Sequence, residues 1–189
     1  IKGIIEILDY VKTGKIYVSN KNDESDLYKI LCEKARMTNT EIVEICSGAR
    51  IKFRDDIIID CIYPYSSDMT GNDASLVLKV VFDNTSFLFT GDISAECEKE
   101  IIDSGENIKA DVLKLSHHGS KYSNSGEFIE KVNPKLAIVS AGSFAMYGQP
   151  AKEIVNKLEN ENVTVLNTRE KGAVEIYSDG KGIYYKTMK

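Results

Sequence analysis

From Ala74 onward, short apolar runs alternate with segments of helical period, and few architectures accommodate that order. Ala74–Phe82 and Ser86–Thr90 read as a hairpin through Asp83–Asn84–Thr85. Ser94–Asp103 then reads as a helix, Asp111–Leu115 as a strand, Gly126–Val132 as a helix and Leu136–Ser140 as a strand. Pro150–Glu161 is a helix with proline in its first turn, where the missing N–H costs nothing. Val163–Leu166 is a further strand, and Ala173–Tyr177 with Gly182–Lys186 forms a closing hairpin through Asp179–Gly180. Hairpins surrounded by strand–helix alternation predict an α/β layered fold.

The first third of the chain is mixed in the same way. Gly3–Lys12 has helical periodicity with Ile4, Ile7, Leu8 and Val11 on one face, and Ile16–Ser19 reads as a strand. Glu24–Met37 is an amphipathic helix with Leu27, Ile30, Leu31 and Cys32 inward, and Thr40–Ile45 is a strand. Two strands lie within Arg50–Ile62, joined at Arg54–Asp55–Asp56, and Tyr63–Asp73 is a loop of turn-forming residues. With 189 residues, 42% hydrophobic and 28% charged, and with no linker or repeat, 1–189 is expected to form a single domain.

Composition removes several function classes. No apolar run approaches the roughly 20 residues that span a bilayer, and the first residues lack a basic-then-apolar leader pattern. The compartment, cytoplasmic or extracytoplasmic, is not legible. Cys32, Cys46, Cys61 and Cys97 form no CxxC pair and sit in or beside apolar segments, so buried free thiols are expected rather than a zinc cluster. A net charge of −5 without a basic stripe gives nucleic-acid binding no independent support. Lys114 and Lys121 are too few to form a patch, and Tyr122 reads first as a packed loop aromatic. A phosphate-bearing substrate stays open, because a bound metal can dominate the local field.

Two strand ends carry the chemistry. FLFTGD delivers Gly91 and then Asp92, and VLKLS delivers His117, His118, Gly119 and Ser120. These are the only histidines in the chain. Aspartate and histidine at loops held by a rigid sheet are a donor set for zinc, manganese or iron. In an extended segment neighbouring side chains point to opposite sides, so one imidazole is expected to be a ligand and the other an orienting or substrate-contacting group.

The order TGD, ADVLKLSHHGS, NPKLAIVSAG resembles the metallo-β-lactamase superfamily, in the branch of the C-terminal domain of the DNA-internalisation competence protein and its stand-alone relatives. NDASLVLKVVF, Tyr147–Gly148 before a proline and the TREKGAVEIYSDG hairpin extend the resemblance along nearly the whole chain. It implies an αββα sandwich with two divalent metals, zinc or manganese, at one sheet edge. Asp92 would bridge the metals, His118 would bind one of them, and His117 would contact substrate or support the ligand. Asn72, Ser120, Tyr147 and Gln149 would lie at the edge of the site. The implied activity is a phosphodiesterase or nuclease-like hydrolase related to competence and DNA uptake, acting on DNA or another phosphodiester.

The sequence also departs from that family. Its defining HxHxDH motif is absent, and IKGIIEILDYVKTGKIYVS resembles the segment on the C-terminal side of that motif, so an N-terminally truncated domain is expected. With Asp92 and one or two histidines left, weak or no metal binding is expected in this chain. Asp68 or Asp73 could join the donors, although no spacing argues for it. Gln149 stands in YGQPA where the branch commonly has histidine. The alternatives are a non-catalytic remnant acting as a binding domain, and an unrelated α/β domain in which both motifs are structural.

Overall fold

The computed structural model describes residues 1–21, 23–142 and 148–189. Its frame is a seven-stranded sheet in sequential order: β3 (Arg50–Arg54), β4 (Ile57–Tyr63), β5 (Val77–Phe82), β6 (Thr85–Phe89), β7 (Val112–Lys114), β8 (Leu136–Val139) and β9 (Thr164–Asn167). Strands β3 to β6 run antiparallel and β6 to β9 parallel. The switch falls at β6 because the connections change there. Tight turns join β3 to β4 and β5 to β6, whereas helices α3 (Ala95–Asp103), α4 (Gly126–Val132) and α5 (Lys152–Asn160) fill the crossovers that parallel strands require.

Alternation along the strands assigns the two faces. Leu88, Leu113, Ala137, Val139 and Val165 face a helix layer whose core holds Ile101, Phe128, Ile129, Val132 and Leu158. Phe87, Val112, Leu136, Ile138 and Leu166 face the other way, against Val174, Ile176 and Ile183 of a C-terminal hairpin. That hairpin pairs β10 (Ala173–Ser178) with β11 (Ile183–Met188). A smaller unit precedes the main sheet, where β1 (Lys15–Val18) pairs in parallel with β2 (Glu41–Glu44). Helices α1 (Lys2–Ile7) and α2 (Asp26–Met37) pack there around Leu8, Ile16, Tyr28 and Leu31.

The layered α/β expectation holds, and the strand–helix order agrees to within one or two residues over most of the chain. Several local expectations need correction. Helix α2 buries Tyr28, Leu31 and Ala35, while Leu27 and Ile30 are exposed. The inward stripe is centred one position away because the Tyr28 ring, not Leu27, reaches the small core. Helix α1 ends at Ile7, and Ile4, Ile7 and Val11 are exposed with only Leu8 buried. Pro150 precedes α5, whose N-cap is Ala151. All four cysteines are free, but only Cys61 and Cys97 are buried, and Cys46 is exposed. Among the described residues no helix is long and apolar enough to cross a membrane.

Candidate functional site

The C-terminal ends of β6, β7 and β8 converge, and each delivers one part of the site. After β6, Gly91 has φ +57°, and a Cβ on it would lie 2.5 Å from Ser75 Cβ. Only glycine fits both the conformation and the space. The backbone N–H of Asp92 then donates to Ser75 Oγ at 3.1 Å, which fixes where the carboxylate emerges. Asp92 is partly exposed, and its carboxylate accepts no hydrogen bond from a described residue.

After β7 the chain does not continue as an extended segment. His117 and His118 both have left-handed backbones, with φ +48° and +58°, inside a one-turn 3-10 element over Ser116–Gly119. The expectation that the imidazoles part because they alternate along a strand is therefore corrected. They diverge because a tight turn splays them, with ring centroids 6.3 Å apart and planes at 67°. Two left-handed non-glycine residues in succession are costly and persist where surrounding contacts over-determine them. The His117 N–H donates to Gly91 O at 3.1 Å and ties the turn to the loop that carries Asp92. Gly119 has φ +78°, and a Cβ there would lie 2.9 Å from Pro150 Cβ.

The end of β8 sets the tautomer. His118 Nδ1 lies 2.6 Å from Ser140 O. A carbonyl only accepts, so Nδ1 carries a proton, and in the neutral ring this leaves the lone pair on Nε2. That Nε2 lies 3.8 Å from Asp92 Oδ2. The gap is too long for a direct hydrogen bond. It suits two donors that each sit about 2 Å from one ion, and a carbonyl on the far ring nitrogen is a common arrangement behind a metal-ligating histidine.

Among the described residues, however, no group of three or more His, Cys, Asp or Glu side chains is placed to hold an ion. Asp73, an expected stray donor, is committed elsewhere. Its Oδ1 accepts from the Ser94 N–H at 3.2 Å. Burial works to raise its pKa, but hydrogen bonds from Cys97 and Ser94 outweigh this and hold it low. Asp68 pairs locally with Ser66. Among the described residues, Asp92 and His118 are thus the two donor side chains that this edge brings together.

A pocket of about 450 Å³ opens beside this edge, lined by His117, His118, Ser120, Lys121, Tyr122 and Gln149 among others. His117, Ser120 and Gln149 line this pocket together. Tyr122 is 69% exposed, which corrects its reading as a packed aromatic. The Lys121 ammonium lies 5.1 Å from its ring centroid. Asn72 sits exposed in the 3-10 turn Gly71–Ala74, three residues before Ser75. Tyr147 lies outside the described residues.

Sequence reasoning missed two contributors, Glu98 and Asn124, and weighed a third, Lys114, only as one of two lysines too few to form a patch. Lys114, at the end of β7, is partly buried, and burial pulls its pKa down while the Asp92 charge opposes that shift. Its ammonium donates to Leu115 O at 2.7 Å. Glu98 and Asn124 are 0% and 1% exposed and lie beneath the histidine turn. The available signal was the face shared by Cys97, Glu98 and Ile101, which places a carboxylate on the buried side of α3.

No family model matches the chain. Over 162 residues, 85% of its length, it is 36% identical to ComE operon protein 3 of Bacillus subtilis, of which it covers 20%. Over 112 residues, 59% of its length, it is 34% identical to competence protein ComA of Neisseria gonorrhoeae, of which it covers 16%. The chain thus spans a fifth or less of these relatives. Among solved structures it is similar in fold to CmlA, a diiron β-hydroxylase from Streptomyces venezuelae. The TM-score there is 0.51 at 13% identity, over 80% of this chain and 38% of that one.

Proposed function

We propose, for a chain that belongs to the competence-protein branch of the metallo-β-lactamase superfamily, that Asp92 and His118 are two ligands of a divalent-metal centre in a phosphodiester hydrolase. The observation that carries this reading is the 3.8 Å separation of Asp92 Oδ2 and His118 Nε2, with Nδ1 already committed to Ser140 O. A carboxylate and an imidazole lone pair held apart without bonding each other are arranged for a third party. The further ligands belong to an HxHxDH segment, which this sequence does not contain. Zinc or manganese would supply the activated water and polarise the phosphoryl oxygen. The chain's own residues hold the tautomer, the carboxylate and the adjoining pocket. His117, Ser120 and Gln149 contact the substrate, with DNA or another phosphodiester the class proposed.

The test is a protein carrying an HxHxDH segment ahead of Ile1, assayed on bis-p-nitrophenyl phosphate with Zn²⁺ or Mn²⁺. Metal-dependent hydrolysis is expected, lowered about 100-fold or more by Asp92→Asn or His118→Ala, as loss of a ligand should cost at least what loss of its outer-shell support does. Hydrolysis without metal, or full activity in either variant, overturns the reading. The two-donor count supports a second reading, a binding module that works without metal. Under it, the 189-residue chain would hold no zinc by elemental analysis and would still bind DNA in chelator.

A further inference from the structure

Glu98 has no exposed surface, and among the described residues no Lys or Arg pairs with it. Burial raises its pKa, which makes it an expensive group to keep ionised. Both of its oxygens are nevertheless in use. Oε1 accepts from Ser116 Oγ at 3.2 Å and from the Asn124 N–H at 2.6 Å, and Oε2 accepts from the Ser125 N–H at 2.8 Å. Asn124, at φ +63°, completes the arrangement. Its Oδ1 accepts from the Ser116 N–H at 2.9 Å, and its Nδ2 donates to Ser116 O at 3.0 Å and Ser120 O at 3.2 Å.

Every polar group of Ser116, the residue before His117, is therefore held by Glu98 or Asn124. The carbonyl of Ser120 is held on the far side of the turn. Helix α3, which carries Glu98, begins three residues after Asp92, and it is joined to the same loop elsewhere. Ser123 Oγ donates to Ile93 O at 2.7 Å, and the Ala95 N–H donates to Tyr122 O at 3.0 Å. The two carriers of the site are thus fastened to each other through one buried carboxylate.

We propose that Glu98 is a positioning residue that sets the Asp92–His118 separation, acting through Ser116 and Asn124 on the left-handed histidine turn. This rests on Asp92 and His118 being the working pair. The side chain is specified closely. Glutamine would turn one acceptor into a donor and face at least one N–H with another, and aspartate is one methylene too short to span from α3. An apolar side chain would leave Ser116 Oγ and two backbone N–H groups buried without acceptors. The polar cluster holds a strained turn in one geometry, which apolar packing cannot do because it has no direction.

The experiment reads the histidines directly, since a chain with two of them gives an assignable ring spectrum. Long-range ¹H–¹⁵N spectra of the metal-free 189-residue protein are compared for wild type, Glu98→Gln, Asn124→Gly and Leu158→Ala. Wild type is expected to show His118 as the Nδ1–H tautomer. Glu98→Gln and Asn124→Gly are expected to shift the ring signals of both histidines and to erode that tautomer. Leu158→Ala, in the same core and outside the network, lowers the melting temperature and leaves the signals in place. Glycine adopts φ +63° without strain, so Asn124→Gly carries the test if Glu98→Gln does not fold. Unmoved histidine signals in a folded variant of either kind overturn the proposal, as does an equal shift in Leu158→Ala. Because no metal is present, failure of the hydrolase reading leaves this result standing. Full metal-dependent hydrolysis with unmoved signals overturns the positioning role alone.

Discussion

The two ends of the parallel strands use an aspartate in opposite ways. At the N-terminal end, Asp111 precedes β7 and accepts from the Ser86 N–H and Oγ, both at 2.9 Å, and from Lys135 Nζ at 2.7 Å. It stitches β6 to the chain entering β8, and its charge is answered by a lysine. At the C-terminal end Asp92 is fixed only through its backbone, and its carboxylate stands 3.8 Å from an imidazole it does not bond. Around it the protein keeps positive-φ residues at Gly91, His117, His118 and Gly119. One end spends its polar groups on joining strands. At the other, buried Glu98 and Asn124 hydrogen-bond the turn that carries the partly exposed histidines. Under the proposed hydrolase reading that asymmetry, and not cavity size, marks the working end, since the roomier cavity, about 640 Å³, lies at the Asp111 end.

Substitutions at each end should break this comparison in a definite order. Gly91→Ala carries the largest expected effect. It combines a left-handed backbone with a 2.5 Å approach to Ser75 Cβ, and a loss of about 3 kcal/mol in urea unfolding is expected. Asp111→Ala comes next, at about 2 kcal/mol, because it leaves the Ser86 N–H without its acceptor. Asp92→Ala should change stability by no more than about 0.5 kcal/mol, since no described group donates a hydrogen bond to its carboxylate. A large loss at Asp92 with little at Asp111 would reverse the assignment of the two ends.

The pH dependence sharpens the same contrast. Burial works to raise the pKa of Asp111, but Lys135 and Ser86 outweigh it, so the folded value lies below the ordinary one. Its stabilisation is complete above the unfolded aspartate range, about pH 4, and is lost as pH falls through the folded pKa beneath that. Glu98, whose folded pKa is raised, acts in the opposite sense. It lowers stability as pH rises from the unfolded glutamate range, about pH 4, through its folded value. Melting temperatures between about pH 2 and 6 should therefore show a shallower acid limb in Asp111→Asn and a steeper one in Glu98→Gln.

Much of this was legible beforehand because it rests on local rules. Turn residues and apolar alternation located the strands from β3 to β11 and the helices between them, and motif order brought out Asp92, His117 and His118. The helix faces of α1 and α2 were misjudged, since which apolar residues are buried depends on how much surface their small unit offers. A carboxylate in the first turn of α3 reads as solvated, and nothing local separates Glu98 from Glu96. The face it shares with Cys97 and Ile101 was the single available hint.

The sequence by itself determined the layered α/β order, the two strand-end motifs and the glycines their turns require. These arise from side-chain periodicity and backbone sterics, which act over a few residues. Only the tertiary structure decided that His118 alone turns toward Asp92, that Ser140 O selects its tautomer, and that Glu98 lies beneath the turn. Each depends on hydrogen bonds between segments 18 to 27 residues apart, and such contacts exist only once the sheet has brought its strand ends together.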